Sequence, residues 1–476
     1  MDIKKELEME NNDIQEKMFS EFMDFSIYDK ALKLGHNYLT EAMERHVFPH
    51  DDAIADLEHF NEPFPEFSSS SNVVIDLLKK YGEPATLPHI GGRYFGFVLG
   101  SVVPASLSAK IMSAFWDQCP AMEVLSPLGS TLETIVERWL KDIFSLPEES
   151  VVGYVSGTSS AIFCGLAAAR YKILQKKGWD VNNKGLFNAP KIRVVAGKQA
   201  HSTVLKAVAL LGLGKNNIEL VDVDSQGRII PESIPDLDEN SILLLQAGNV
   251  NSGSFDDFDK ICLKAREQGA WIHIDGAFGL WAQASDKLKY LSKGCGNADS
   301  WSVDCHKTLN TPYDSGVVIC RDKEALIDAL HMSGAYIVLG KERDGMFYTP
   351  EMSRRARIFE IWSALKFLGK QGLGQMVIGF HERALQFKQE LTEVGFNIVN
   401  DVVFNQVLVR CETDELTLKT LENIQKLRVC WCGGSKWKDK DVIRLSICSW
   451  VTTQKDVSLS VKSFIEARNM AKVSAQ

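Results

Sequence analysis

Seven short runs, each almost wholly apolar and rich in Val and Ile, punctuate the middle of this chain at residues 151–155, 192–196, 218–221, 242–246, 271–275, 301–303 and 316–319. Stretches of helical periodicity separate them. Strands without polar alternation are buried on both faces, and intervening helices are the crossovers that parallel strands require. The pattern predicts an α/β fold with a mostly parallel central sheet covered on both sides, over residues 86–345. Residues 1–85 read as an N-terminal helical arm, with an apolar periodicity through Phe19, Phe22 and Phe25 and a proline-bearing loop at 61–65. Residues 346–476 read as a small C-terminal α+β domain, with a helix pattern through 358–368 and strand-like runs at 402–409 and 442–448.

The 476 residues exceed the ~250–300 at which one core stops growing, in keeping with more than one domain. With 45% hydrophobic and 24% charged residues the chain is neither disordered nor fibrous. Its 53 Lys and Arg stand against 62 Asp and Glu, a net charge of −9 spread along the sequence, so no nucleic-acid partner is expected. Ten cysteines form no C-x-x-C pair, and Cys430-Trp-Cys432 has no second cluster at zinc spacing, so free thiols and no metal are expected. The N-terminus is charged and lacks the apolar core of a signal peptide, and no apolar run approaches the ~20 residues of a membrane span. These features predict a cytoplasmic chain with no membrane segment.

In parallel α/β sheets ligands bind beyond the carboxyl ends of the strands. Ser156-Gly-Thr-Ser-Ser160 follows the first run and opens a helix, which suits either a simple helix cap or a phosphate held by free backbone N–H groups. His201, in Gln199-Ala-His-Ser-Thr203, follows the second run. Asp275 ends the fifth, where a buried carboxylate needs a cation or a turn to cap. Lys307 lies just past the sixth, in Asp304-Cys-His-Lys307, where apolar surroundings are expected to push its pKa down and free a neutral amine. Each signal alone has a structural reading. Together, a phosphate cradle, an acid for a ring cation, an amine for an aldehyde and an imidazole to stack on a ring match the demands of pyridoxal 5′-phosphate.

The motifs also resemble a known family. Gly92-Arg-Tyr-Phe-Gly-Phe-Val98, Ser126-Pro127 with Leu132-Glu133, Ser156 to Ala161, Gln199 to Ser202, His273-Ile-Asp-Gly-Ala277, and Asp304 to Lys307 with Pro312-Tyr-Asp-Ser-Gly316 are similar to the group II pyridoxal-dependent amino-acid decarboxylases, in order from about residue 75 to 460. That group includes aromatic-amino-acid, glutamate and diaminobutyrate decarboxylases. The resemblance implies the aspartate-aminotransferase-like fold, fold type I. It implies that Lys307 carries the cofactor covalently, Asp275 pairs with the pyridine nitrogen, His201 stacks on the ring and Ala277 packs its other face. Thr158, Ser159 and His306 would contact the phosphate, and Tyr336, together with His201, would protonate the carbon that loses CO₂. Family resemblance also implies a homodimer, with residues 1–85 packed across the boundary and the active site at the interface.

Three stretches depart from the family pattern. Thr308 stands where many relatives have Trp, Gly248-Asn-Val-Asn251 replaces a Gly-Thr-Thr run, and Phe97-Val-Leu-Gly100 lacks the Pro-Thr pair of the aromatic-substrate branch. Arg93 reads either as a partner for a substrate carboxylate or as a surface arginine. The expected activity is decarboxylation of an L-amino acid to its amine. Retro-aldol cleavage of the kind catalysed by sphingosine-phosphate lyases, which share the fold and the His-Lys pair, is the rival enzymatic reading. A catalytically silent homologue is the third.

Overall fold

All seven apolar runs are strands, because Val, Ile, Leu and Trp without polar alternation can only be satisfied between two covering layers. They are β1 (Val151–Val155), β2 (Arg193–Gly197), β3 (Ile218–Val221), β4 (Ser241–Gln246), β5 (Trp271–Asp275), β6 (Ser300–Asp304) and β7 (Gly316–Cys320). Every residue of β1, β4, β5, β6 and β7 is buried. The computed structural model describes residues 14–331, 340 and 343–473.

The strand order is β1-β7-β6-β5-β4-β2-β3. The pairs among β3, β2, β4, β5 and β6 are parallel, whereas β7 runs antiparallel to both β6 and β1. The reversal has a local cause. Only residues 305–315 join β6 to β7, too few for the dozen-residue crossover that a parallel return needs. Six strands therefore point the same way, and the ends of β1, β2, β4, β5 and β6 share one edge. The β6–β7 connection, which holds His306 and Lys307, is forced to turn back across that edge.

The labelled helices are α1 (Phe25–Glu41), α2 (Pro104–Trp116), α3 (Pro127–Phe144), α4 (Thr158–Lys176), α5 (Ser202–Leu210), α6 (Phe258–Glu267), α7 (Lys323–Leu330), α8 (Ile358–Glu393), α9 (Asp414–Leu427) and α10 (Gln454–Val473). Helix α8 continues well past the expected 358–368 because the break at Gly369 is a kink (φ 59°) that only a residue without Cβ takes at no steric cost. A second sheet, ordered β10-β11-β9-β8, is antiparallel throughout and consists of β8 (Asn397–Ile398), β9 (Gln406–Arg410), β10 (Gly433–Trp437) and β11 (Lys440–Ser446). Strand β9 starts later than expected: Val402 has φ 49° and stands outside the ladder. Strand β10, Gly-Gly-Ser-Lys-Trp, carries no β-propensity signal. It is held by its turn, where Lys438 and Asp439 both take positive φ (51° and 63°), the handedness that suits a two-residue hairpin.

The 92–96 stretch lies along the second sheet. Phe95 N–H donates to the Trp431 carbonyl (2.8 Å), Ser446 N–H donates to the Phe95 carbonyl (2.9 Å), and the Tyr94 ring stacks on Trp431 at 5.0 Å. A Cβ on Gly96 would come within 2.0 Å of the Trp431 ring, and one on Gly100 within 2.2 Å of the Lys307 carbonyl. Glycine is required at both close approaches.

Glu133, fully buried on α3, meets Arg354 (2.7 Å) and Arg343 (3.1 Å), and Arg343 also meets Glu137 (2.8 Å). Removing one member of a buried charge cluster strands the rest, at a cost of about 3–5 kcal/mol. Glu133→Ala is accordingly expected to lower the urea midpoint by that equivalent, with the slope unchanged.

All ten cysteines are free thiols, nine of them buried. Among the described residues no group of His, Cys, Asp or Glu is arranged to hold a metal. Among them, too, no helix is long and apolar enough to cross a membrane.

Candidate active site

At the common strand edge lies a cavity of about 640 Å³. Thr158, Ser159, His201, Asp275, Ala277, His306 and Lys307 all line it, although they come from four separate stretches of chain. Tyr336 lies outside the described residues. The cavity also takes in residues with no sequence-based assignment: Gln246 from the end of β4, Asp304, Tyr313 and, from β11 of the second sheet, Arg444.

Lys307 and Asp304 form an ion pair at 2.7 Å, with the Asp304 side chain buried. Burial alone pushes the ammonium down, but the Asp304 carboxylate beside it, aided by Asp275, outweighs that, and the Lys307 pKa stands above its ordinary value. The expectation of a depressed lysine is thus corrected. Its premise, apolar surroundings, omitted a carboxylate three residues upstream. Asp304 itself is raised by burial but held below the usual carboxylate range by Lys307 and His306.

Asp275 is buried and accepts the Ala277 N–H (3.1 Å). Burial raises its pKa against the pull of His201 and Lys307. His201 caps α5: its Nδ1 accepts the Thr203 N–H (3.3 Å), so the neutral ring carries its proton on Nε2. Burial lowers its pKa, with the nearby charges of Asp275 and Lys307 opposing one another. The imidazole is therefore neutral near pH 7. His306 Nδ1 accepts the Ser315 N–H (3.0 Å), and its ring stacks on Tyr313 at 4.2 Å. Burial lowers its pKa as well.

The residues at the amino end of α4 fit an anionic group. Ser156, Gly157, Thr158 and Ser159 face the cavity at the positive end of a 19-residue helix. The Thr158 hydroxyl is buried without a hydrogen-bond partner, and a Cβ on Gly157 would sit 3.0 Å from the His306 ring. An orphaned donor in a notch that only glycine leaves open suits a phosphate oxygen.

Two departures from the family pattern have structural roles here. Thr308 donates to the Phe278 carbonyl (2.8 Å), and Asn249 Oδ1 accepts the Asn251 and Ser252 N–H groups. Arg93 does not reach the cavity. Its guanidinium donates to the carbonyls of Val429, Glu44 and Arg45 and faces the Asp456 carboxylate at 3.6 Å, so it ties the turn after α1 to the C-terminal part of the chain. The guanidinium that does face the cavity is Arg444, which donates to the Val250 carbonyl (3.2 Å) and has no ion pair among the described residues. Its sequence signal, an arginine interrupting Val442-Ile-Arg-Leu-Ser446, is a cation in an otherwise buried strand.

A parallel sheet whose carboxyl edge gathers a half-buried lysine, an acid, an imidazole and a phosphate-type helix end defines a pyridoxal-phosphate enzyme. Comparison with known proteins supplies the family. The pyridoxal-dependent decarboxylase conserved domain matches residues 105–412, and the chain belongs to that family, whose members are carboxy-lyases. It is 25% identical over 410 residues to a tyrosine decarboxylase of Papaver somniferum, covering 77% of this chain and 79% of the relative. It is also 25% identical over 299 residues to an acidic amino acid decarboxylase of Mus musculus, covering 60% of this chain and 54% of that protein. The crystal structure of Oryza sativa TDC with PLP and tryptamine superposes with a TM-score of 0.87 at 19% identity, over 94% of this chain and 97% of that one. That likeness establishes the fold, fold type I of the pyridoxal-phosphate enzymes.

Proposed function

We propose that this chain decarboxylates an L-amino acid with an uncharged side chain, releasing the amine and CO₂. The observation that carries this is the convergence of Lys307, Asp275, His201 and the amino end of α4 on one cavity. When bound, pyridoxal phosphate supplies the electron sink for the pair left behind as CO₂ departs. Lys307 would hold the cofactor, Asp275 would keep a proton at its ring nitrogen, and His201 and Ala277 would pack beside it. Thr158, Ser159 and His306 would hold its phosphate. Tyr336 would deliver the proton to the α-carbon.

Arg444 is the one lining cation outside that set, and it orients the substrate carboxylate. The rest of the wall mixes apolar side chains, Phe97, Val98, Val250 and Phe278, with the polar Thr203, Gln246, Tyr313 and Asp314, the last already paired with Arg355 and Arg357. The relatives divide between tyrosine and acidic amino acids by name, and a wall with one free cation favours a monocarboxylic substrate. Arg444→Leu is expected to raise KM about 10–100-fold, the value of a charged hydrogen bond, with a smaller effect on kcat.

A panel of the common amino acids plus 2,4-diaminobutyrate, assayed for CO₂, amine and aldehyde, tests the proposal. CO₂ and amine from a neutral amino acid support it. Turnover of glutamate or aspartate alone overturns the substrate class, and an aldehyde without CO₂ replaces decarboxylation by retro-aldol cleavage. Unchanged products from Tyr336→Phe would remove Tyr336 from the reaction.

The working unit in this proposal is a cytoplasmic homodimer with the active site at the interface, divided as 1–85, 86–345 and 346–476. Met18, Phe19, Phe22, Met23 and Phe25 on the arm are all more than 60% exposed, as is Phe115 on α2, whose ring meets Tyr28 at 5.4 Å. So much uncovered aromatic surface in one region is the mark of an interface.

A further inference from the structure

We propose that Asp304 is a positioning residue that holds Lys307 in its ammonium form and thereby sets the pH at which this side chain attacks an aldehyde. The inference rests on the assignment of Lys307 as the cofactor-bearing lysine, and adds to it a carboxylate that the reaction itself does not require.

The geometry around Asp304 is tightly specified. It ends β6, buried to 2% exposure. Its Oδ2 meets Lys307 Nζ at 2.7 Å, its Oδ1 accepts the Thr158 N–H at 2.6 Å, and His306 Nε2 stands 3.7 Å away. The carboxylate is boxed between two glycines: a Cβ on Gly157 or on Gly316 would each come within 3.1 Å of Oδ1. Its two oxygens are engaged by Lys307 and by the Thr158 N–H. One N–H at the amino end of α4 is spent on Asp304, leaving the Thr158 hydroxyl and Ser159 for an incoming anion. The other groups that face Lys307 are Asp275 from β5, the His201 and His306 imidazoles, and the Cys448 thiol beyond β11. Both imidazoles are held toward neutrality, and burial raises the thiol to about 12. Asp304, in direct contact, is the dominant counter-charge.

An ammonium has no lone pair. Before Lys307 can react it must give one proton to solvent. The neutral amine then adds to the aldehyde carbon, and its two remaining N–H protons leave with the carbonyl oxygen as water while a carbon–nitrogen double bond forms. Asp304 opposes the first of these losses. The consequence is chemical discretion: the half-buried lysine stays unreactive toward small stray aldehydes, and a ligand bringing a phosphate to α4 gains binding energy that such aldehydes lack.

The test uses the full-length chain freed of cofactor. It is exposed to pyridoxal phosphate or to pyridoxal across a pH series and quenched with borohydride, which delivers hydride to the carbon of the new bond. Labelled Lys307 is counted by peptide mass. In the unsubstituted chain the labelling rate is expected to reach half its maximum at or above the ordinary lysine value of about 10.4. An opposite charge at contact distance shifts a pKa by about 1–3 units, so Asp304→Asn should move the midpoint down by that amount. The labelling rate at neutral pH should then rise at least about tenfold. Asp304→Glu, which keeps the charge, should stay near the original profile. A merely structural role would lower the labelling at all pH values without moving the midpoint. A midpoint that does not move in Asp304→Asn overturns the proposal. So does a midpoint in the unsubstituted chain well below about 10, whatever becomes of the variant. If Lys307 is not labelled by pyridoxal phosphate at any pH, it is the cofactor assignment that fails instead.

Discussion

Lys307→Ala is expected to abolish covalent retention of the cofactor and to reduce CO₂ release at least about a thousandfold. The reason is that no other amine is placed to take over: among the residues lining the cavity Lys307 is the sole primary amine. The substitution also removes the partner of a buried carboxylate, Asp304, leaving it only the Thr158 N–H and a distant His306. A stability loss of about 3–5 kcal/mol would follow from that alone, so an inactive alanine variant does not by itself separate chemistry from folding. Lys307→Arg does. A guanidinium keeps the charge opposite Asp304 but never gives up its proton in a protein, so it cannot condense with an aldehyde. The expected result is an arginine variant close to the parent in thermal stability, yet without the visible absorbance of lysine-bound cofactor after dialysis and without activity. Retained absorbance in either variant would place the cofactor on another residue.

The central sheet was legible because its strands are almost wholly apolar, and a doubly covered sheet is what satisfies most of those runs in one chain. The direction of β7 was not, since it follows from the brevity of the 305–315 connection and not from any residue type. Strand β10 was invisible for the opposite reason: its residues argue against a strand, and two positive φ angles at Lys438 and Asp439 impose it. The site was read largely through residues that follow strand ends, and His201, Asp275, His306 and Lys307 do meet at one edge. What spacing could not convey is which cations are already committed. Arg93 and Arg444 look alike in sequence, but one is consumed by three backbone carbonyls and the other faces the cavity. Likewise Asp304 stood in plain view beside the His-Lys pair, and only the fold shows that its carboxylate turns back onto Lys307 and reverses the direction of the lysine's pKa.

Asp275→Asn is expected to lower kcat about 10²–10³-fold while leaving KM and thermal stability nearly unchanged. Asparagine matches the aspartate in size and can still accept the Ala277 N–H through its side-chain oxygen, so the turn after β5 survives. What it loses is the negative charge. A buried carboxylate facing a ring nitrogen favours the protonated ring through a charge-assisted hydrogen bond, at least about twice as strong as a neutral one. An amide offers no such preference. Because the site excludes most water around Asp275, solvent cannot substitute for the missing charge. A preorganised polar group that meets charge developing in the transition state is worth about 10²–10³ in rate. Burial also makes the assignment testable in the other direction: the Asp275 pKa is raised in the chain itself, so it is a bound cation, not solvent, that would keep it ionised. Cofactor content should be measured on the same samples. A variant that binds pyridoxal phosphate fully and loses less than about tenfold in kcat would show that the ring proton is held by some other group, with His201 the first to examine.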